Sequence, residues 1–251
     1  MVVASGFDAV NADGLIEKVL VPAVVAPLLA IAVAATVTFI LYRRIRSRDP
    51  DEARRSFRIG QVASASLVAL SHGTNDAQKT MGVITLALIA NGNLADDASV
   101  PTWVVIAAAT AISLGTYIGG WRIIRTVGHG ITKLETPQGF AGETSSAVVI
   151  LASSQAGFPL STTHVTCGGV MGAGVGKRAA EVNWSTGQKM AIAWLVTLPA
   201  AALVSGALYL AVEEIGKDIA GPLSVTLLAA IAAAMLFFAA QRSSPVSAQD
   251  V

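Results

Sequence analysis

The sequence predicts an all-α integral membrane protein with about five transmembrane helices, one of them broken at mid-membrane, and one re-entrant helical hairpin. Hydrophobic residues make up 53% of the 251 residues and charged residues only 13%, which is about half the charged fraction of a soluble domain. The apolar residues form runs long enough to cross a bilayer, and polar residues interrupt two apolar regions. This composition excludes an ordinary soluble globular domain.

The first 18 residues are predicted to lie outside the cytoplasm, and they lack the basic start and early apolar run of a signal peptide. The first spanning helix is Val19 to Tyr42, which ends at an arginine-rich loop, residues 43–55. Arginine beside a spanning helix is typical of a cytoplasmic anchor, so we interpret this loop as solvated and not as a nucleic-acid-binding surface.

A polar cluster divides the second apolar segment, Gly60 to Ala90. This segment has 31 residues, more than the roughly 20 that a straight crossing needs. Its centre reads Ser71-His72-Gly73-Thr74-Asn75-Asp76-Ala77-Gln78-Lys79. Glycine followed by cap-forming residues predicts a helix break, with a new half-helix starting near Asp76. Because ionisable residues are costly at membrane depth, the cluster is a candidate functional site.

After a third crossing at Trp103 to Ile124, the region Gly139 to Gly176 contains two apolar pieces that are each short for a full crossing. The pieces are separated by Gly157-Phe158-Pro159-Leu160-Ser161-Thr162-Thr163-His164. Both outer ends of the region adjoin basic residues, Lys133 on one side and Lys177 on the other. We therefore predict a re-entrant hairpin that enters and leaves by the cytoplasmic face, with its tip near the midplane.

Two further crossings, Met190 to Val212 and Leu223 to Ala240, complete a predicted membrane domain of residues 19–240, and residues 241–251 are a polar tail predicted to be disordered. Fourteen of the 17 Lys and Arg residues fall on one side of this arrangement. The positive-inside rule then predicts a multi-pass protein of the cell (plasma) membrane, with its N-terminus outside and its C-terminus in the cytoplasm. The prediction gives five crossings and one hairpin, and an odd number of crossings is what one repeat of an inverted-topology pair should have. We therefore predict one half of an inverted-repeat transporter.

The two polar interruptions together predict an oxyanion site. Ser161-Thr162-Thr163 stands ahead of a helix starting near His164, and Thr74-Asn75-Asp76 stands at the predicted break. Hydroxyl groups and unpaired main-chain N–H groups at two helix N-termini suit a small tetrahedral oxyanion. The Asp76 carboxylate repels an anion unless a bound cation, a proton or a protonated substrate oxygen removes the repulsion. Each of these options couples anion binding to a cation or proton, as a symporter requires.

Other polar residues near the two interruptions allow more than one interpretation of their role. Lys79, three residues after Asp76, is either an ion-pair partner or a coupling-ion candidate. His164 is either a proton site or a hydrogen-bonding residue of the hairpin. We interpret His72 as a packed helix residue, and Glu143 either as solvated or as part of a polar face toward the site.

The sequence argues against an enzyme and against a resident cofactor. Ser161 and His164 stand three residues apart at a helix start, which is not the geometry of a catalytic triad. Cys167 is the single cysteine, which excludes an intramolecular disulfide framework and a cysteine-based metal site. We expect no resident cofactor or metal.

At two motifs the sequence resembles the inorganic phosphate transporter (Pit) family. His72-Gly73-Thr74-Asn75-Asp76-Ala77-Gln78-Lys79 is similar to the family's Gly-x-Asn-Asp signature, and Pro159-Leu160-Ser161-Thr162-Thr163-His164 is similar to its hairpin tip. Gly119-Gly120-Trp121-Arg122 and Gly139-Phe140-Ala141-Gly142-Glu143-Thr144 also resemble its second half. On the family pattern, the substrate or coupling-ion residues would be Thr74, Asn75, Asp76, Ser161, Thr162 and Thr163.

The resemblance implies a secondary carrier of phosphate that co-transports a proton or a sodium ion, or that carries a neutral divalent-metal phosphate. The transport alternative is another tetrahedral oxyanion such as sulfate, and the alternative from another class is a non-transporting scaffold or remnant. The family signature more commonly has a second asparagine where this chain has Lys79. Our hypothesis is that the ammonium group of Lys79 occupies a sodium-like position and favours proton coupling.

The resemblance covers only the C-terminal half of a family built from two inverted halves. It therefore implies a separate chain or a missing segment that supplies the first repeat, or a dimer. A parallel homodimer would not create an inverted partner, so the sequence favours a separate first half or a truncation.

Overall fold

The computed structural model describes residues 6, 10–47, 49–118, 124–178, 182–215 and 220–242. Within these residues every regular element is helical, which confirms the all-α prediction. The chain divides into two compact units, Gly14–Thr186, and Met1–Asp13 with Gly187–Val251. The candidate site lies entirely in the unit Gly14–Thr186.

The main helices of this unit are α1 (Val21–Ile45), α2 (Pro50–Ala90), α3 (Thr102–Ile118), α4 (Thr136–Gln155) and α5 (Thr162–Arg178). A short helical turn, Ala12–Leu15, and a π-helical segment, Ile16–Leu20, precede α1, and a second π-helical segment, Thr126–Gly130, lies between α3 and α4. Two further helices follow, α6 (Trp184–Ile215) and α7 (Ala220–Arg242).

Helices α4 and α5 form a helical hairpin that packs against α1 on one side and α2 on the other. Three glycines of α5, spaced four residues apart, line its contact with α1. A Cβ atom added at Gly168, Gly172 or Gly176 would lie 2.6, 2.3 or 2.4 Å from a main-chain oxygen of α1. The absence of side chains at these positions lets the two backbones touch, which is how membrane helices pack closely.

The ends of the hairpin are fixed by local sequence. Glu135 caps α4 in a capping box with Gln138, and it also accepts hydrogen bonds from Tyr42 Oη and from Lys177 Nζ, the latter at 2.9 Å. At the other end of α4, Gly157 adopts a φ of +75°, a conformation that favours glycine and closes the helix. The base of the hairpin is therefore tied to α1, and its tip turns sharply.

The predicted break in the second apolar segment is wrong. Helix α2 runs without interruption from Pro50 to Ala90 and passes through Gly73 and Asp76. The cap-forming side chains are used in other ways, because the Thr74 hydroxyl donates to Leu70 O and Asn75 Nδ2 donates to Ser154 Oγ of α4. Because the Thr74 hydroxyl and the Asn75 amide nitrogen bond to these partners instead of capping a new helix start, the helix does not need to end.

Among the described residues, two helical segments are long and apolar enough to cross a membrane, Ala12–Ile45 and Trp184–Ile215. They contain the predicted crossings Val19 to Tyr42 and Met190 to Val212. Helix α7 extends two residues into the predicted tail, while residues 243–251 and the motif Gly119-Gly120-Trp121-Arg122 lie outside the described residues.

Candidate functional site

The tip of the hairpin contacts the middle of α2 at Asp76. Thr162 Oγ1, at the start of α5, lies 3.2 Å from Asp76 Oδ1 and 3.3 Å from Asp76 Oδ2, so its single hydroxyl hydrogen serves both oxygens. One turn further along α2, Lys79 Nζ donates to the main-chain oxygen of Leu160. The two polar interruptions that the sequence analysis singled out therefore meet in the folded chain.

The Asp76 carboxylate has two nitrogen partners on its own helix. Lys79 Nζ lies 3.3 Å from Oδ1, and His72 Nε2 lies 3.2 Å from Oδ2. The Lys79 ammonium group balances the charge of the carboxylate, so the pair presents a locally neutral site to an approaching anion. The side chains of Asp76 and Lys79 remain 40% and 42% exposed, which shows that this site is open on one side in the chain as described.

Asn75 fixes the position of α2 on α4. The residue is only 5% exposed, and its Nδ2 lies 2.8 Å from Ser154 Oγ. Among the described residues, its Oδ1 has no hydrogen-bond partner although it is buried. The amide therefore joins two helices and keeps one acceptor oxygen beside the Asp76 turn.

The continuity of α2 separates the three predicted residues Thr74, Asn75 and Asp76. Successive side chains on an α-helix point about 100° apart, so the three cannot face the hairpin tip together. Asp76 reaches the tip, Asn75 packs on α4, and Thr74 lies on the exposed face of the helix.

The predicted tip residues also divide among different surroundings. Ser161 accepts from the main-chain N–H groups of His164 and Val165, through Oγ at 3.4 Å and through its carbonyl oxygen at 3.1 Å, and so caps the start of α5. Thr162 is buried at 3% exposure and faces Asp76. Thr163 is exposed and lines a cavity bounded by α2, α4, α5 and the segment between α3 and α4.

His164 lies against α1, where it hydrogen-bonds the main chain at Ala23. Pro27 stands four residues after Ala23 within α1 and has no N–H group to donate to the Ala23 carbonyl. The imidazole thus satisfies a carbonyl oxygen that the proline leaves free. The coupling role predicted for His164 stays a prediction.

Three contributors to the site were not predicted from the sequence. His72 was interpreted as a packed helix residue, yet it pairs with Asp76, a contact that the i,i+4 spacing on a continuous helix would have indicated. The Leu160 carbonyl and Ser154 carry no such signal. A main-chain oxygen leaves no trace in a side-chain pattern, and the partner of a serine depends on packing.

Comparison with known proteins places this arrangement in a family. The sequence profile of the phosphate transporter family matches residues 42–205, a range that includes the Asp76 turn and the whole hairpin. In solved structures, the fold is similar to that of a sodium-dependent phosphate transporter, with a TM-score of 0.69 at 23% sequence identity over 86% of this chain and 70% of that chain.

Several relatives are described as probable low-affinity inorganic phosphate transporters. The chain is 53% identical to one from Mycobacterium tuberculosis (strain ATCC 25618 / H37Rv) over 86% of this chain and 52% of the relative. It is 47% identical to one from Mycobacterium leprae over its full length and 60% of the relative, and 40% identical to one from Bacillus subtilis over 83% of this chain and 62% of the relative. The chain thus spans between about half and three-fifths of the length of these relatives. On the match of the profile and of these relatives, the chain belongs to the phosphate transporter family.

Proposed function

We propose that this chain forms one repeat of a membrane carrier of inorganic phosphate, with the substrate held where the hairpin tip meets the Asp76 turn of α2. The observation that carries this proposal is the charge-balanced pair of Asp76 and Lys79 beside the N-terminus of α5. The carboxylate would repel a phosphate ion if it stood alone. With the ammonium group 3.3 Å away, that repulsion is offset and a cationic donor is available.

The groups at the tip match the chemistry of phosphate. The first main-chain N–H groups of α5 precede its hydrogen-bond ladder and carry the positive end of the helix dipole. The hydroxyl groups of Ser161, Thr162 and Thr163 flank these N–H groups, while the Asp76 carboxylate can accept from a protonated phosphate oxygen. Of the three residues predicted on α2, Asn75 and Asp76 are the better-placed contacts, and Thr74 would need a partner surface to enclose the ligand on its exposed face.

The open side of the site supports a second repeat. A phosphate at the tip would remain in contact with water on the side where Asp76 and Lys79 are exposed, and a carrier must enclose its substrate. The relatives described above are longer than this chain, which is consistent with a first repeat supplied by a missing segment or a separate chain. We prefer this arrangement to a dimer of two parallel copies, because parallel copies do not produce an inverted pair.

The membrane arrangement belongs to the same proposal. We propose that α4 and α5 form a re-entrant hairpin entering from the cytoplasm, with the N-terminus of the chain outside and its C-terminus in the cytoplasm. The support is the polar tip, which contacts α2 at Asp76 within the apolar segment Gly60 to Ala90, and the basic residues Lys177 and Arg178 at the base of the hairpin. Cysteine labelling from each side of sealed vesicles tests this orientation.

Uptake of radiolabelled phosphate tests the function. The chain is co-reconstituted in proteoliposomes with the first repeat of the Mycobacterium tuberculosis relative, and the chain alone serves as the control. We expect uptake only from the pair, with little competition by sulfate. Equal competition by sulfate would favour a general oxyanion carrier, and the absence of uptake from the pair would favour a non-transporting remnant or scaffold.

The coupling ion gives a sharper prediction at Lys79. Its ammonium group lies between the Asp76 carboxylate and the Leu160 carbonyl, which are oxygen ligands that a hard cation such as Na⁺ would also use. We therefore propose proton coupling, with Lys79 in the place of a bound sodium ion. Co-transport of a neutral metal phosphate is tested in the same vesicles by adding and omitting Mg²⁺.

Replacing Lys79 with asparagine is expected to make phosphate uptake depend on sodium. Removal of the ammonium group opens a space bordered by carboxylate and carbonyl oxygens, and uptake without sodium should fall by about tenfold, or ~1.4 kcal/mol. Lys79→Arg, which retains the charge, is the matched control and should stay independent of sodium. Unchanged ion dependence in Lys79→Asn would count against this role.

A further inference from the structure

A second carboxyl group lies deep in the hairpin, apart from the Asp76 turn. Glu143 is on α4 and is partly buried against Ser64 of α2, which is itself only 4% exposed. The Gln61 side chain also hydrogen-bonds this carboxyl group. Gly139 makes room for the Gln61 side chain, because a Cβ atom added at Gly139 would lie 2.2 Å from Gln61 Nε2. The Glu143 carboxyl group therefore has specific hydrogen-bonding partners, and the proposed phosphate site does not include it.

The number of hydrogens available for the two contacts of Ser64 Oγ favours an uncharged, protonated Glu143 side chain. Ser64 Oγ lies 3.1 Å from the main-chain oxygen of Gln61 and within hydrogen-bonding distance of Glu143 Oε2. A hydroxyl group has one hydrogen, and neither a carbonyl nor a carboxylate can donate one. If Glu143 carries a proton and donates it to Ser64, then Ser64 donates to Gln61 and both contacts are hydrogen bonds at once.

The surroundings of Glu143 point the same way. The group lines a cavity of about 350 Å³ whose walls include Val68, Val127 and Val170. In the part of the chain that the structure describes, no lysine or arginine forms an ion pair with Glu143. Among the residues that the structure describes, the titratable groups lining the cavity are His72 from α2, Cys167 from α5 and Glu143 itself. A charged carboxylate in such walls is costly unless it is paired.

The cavity also leads toward the Asp76 turn. His72 lines the cavity and contacts Asp76 Oδ2 at 3.2 Å. Its imidazole therefore lies both at the cavity and at the Asp76 turn. The surroundings of Glu143 suit a protonated carboxyl group better than a metal site. Among the described residues no three His, Cys, Asp or Glu side chains cluster in a way that could hold a metal ion, and the carboxyl group has only a hydroxyl and an amide beside it.

We infer that Glu143 is a proton-carrying carboxyl group of the transport cycle, reached through the cavity between α2, α4 and α5 and linked to Asp76 by His72. The protonated carboxyl group would lie with Oε2 within hydrogen-bonding distance of Ser64 Oγ. The inference deepens the proposed function, since the proton it assigns is the one that phosphate uptake would be coupled to. It adds a protonation site separate from the Asp76–Lys79 pair, which holds its charges in balance.

The protonation site can be tested on the chain alone, in nanodiscs, without any transport. A hydrophobic carbodiimide reacts with protonated carboxyl groups in apolar surroundings, and peptide mass spectrometry locates the adduct. We expect Glu143 to be labelled at least about tenfold more than Glu135, a difference of ~1.4 kcal/mol in the protonated population, and labelling to fall as the pH rises. Glu135 is the matched internal control, because it lies near the start of the same helix but is paired with Lys177. Equal labelling of Glu143 and Glu135 in a folded chain would overturn the inference.

The transport assay tests the role of this proton. In vesicles containing both repeats, Glu143→Gln keeps the shape of the side chain and its hydrogen bonds but cannot release a proton. We expect this variant to lose phosphate accumulation driven by an inward proton gradient, by at least about tenfold, and to keep phosphate exchange at equal pH on both sides. Loss of exchange as well, or full accumulation, would overturn the role. If the unsubstituted pair transports no phosphate, the proposed function fails, and the labelling result alone decides whether Glu143 holds a proton.

Discussion

Replacing Gly172 with alanine should destabilise the chain more than replacing any other described glycine of α3 or α5 with alanine. The new Cβ atom would lie 2.3 Å from Ile31 O, 2.8 Å from Ile31 Cα and 2.9 Å from Ala34 Cβ. Two of these neighbours are main-chain atoms of α1 that cannot rotate away, so the helices must separate. We expect a cost of about 3 kcal/mol, at the upper end for overpacking.

Gly115 provides the matched control for this substitution. It lies within helix α3, and a Cβ atom added there meets nothing within 4 Å. Gly115→Ala should therefore be neutral, or stabilising by up to about 1 kcal/mol through the higher helix propensity of alanine. Thermal unfolding of both variants in the same nanodiscs, followed by tryptophan fluorescence, measures the difference. Equal melting temperatures would show that α1 and α5 are not in backbone contact.

Replacing Asp76 with asparagine should reduce phosphate uptake by on the order of 100-fold. The substitution keeps the shape of the side chain but leaves the Lys79 ammonium group without its carboxylate partner, which should cost about 3 kcal/mol at the proposed mid-membrane site. It also weakens the bond that Thr162 Oγ1 makes to the carboxylate, so the hairpin tip loses part of its hold on α2. Initial uptake rates in vesicles with both repeats check the prediction.

Two further variants distinguish the effect of the local charge on uptake from a general loss of folded protein. Asp97→Asn removes a carboxylate from an exposed loop after α2 and should leave uptake unchanged. The double variant Asp76→Asn with Lys79→Met removes both charges, so it should recover the folded yield lost by Asp76→Asn but not the uptake. Recovery of uptake by the double variant would mean that the pair serves only to stabilise the fold.

The residue pattern alone predicts much of the architecture. Runs of apolar residues leave few options besides helices, because every main-chain polar group in a bilayer must be satisfied within the chain. The hairpin follows from two short apolar pieces separated by Gly157 and Pro159, and the structure places a turn there with Gly157 at positive φ. The candidate site at the two polar interruptions could also be located in advance, because polar residues within apolar runs stand out.

The course of α2 through Asp76 could not be predicted in this way. Thr74, Asn75 and Asp76 have the local preferences of a helix start, yet their side chains find partners in Leu70, in Ser154 of α4 and in Thr162 of α5. Two of these partners are more than 75 residues away along the chain. A propensity describes only what a residue does when it has no such partner.

The sequence by itself determined that this chain is helical and apolar, that polar groups gather at two points within it, and which residue types are present at those points. The tertiary structure decided which of those residues meet, because a continuous helix turns neighbouring side chains in different directions. Asn75 therefore contacts Ser154 of α4, Asp76 contacts Thr162 of α5, and Thr74 is left on the exposed face. It also supplied the Leu160 carbonyl, the His72 contact and the buried surroundings of Glu143. These depend on distances between helices, which a linear pattern of residues does not contain.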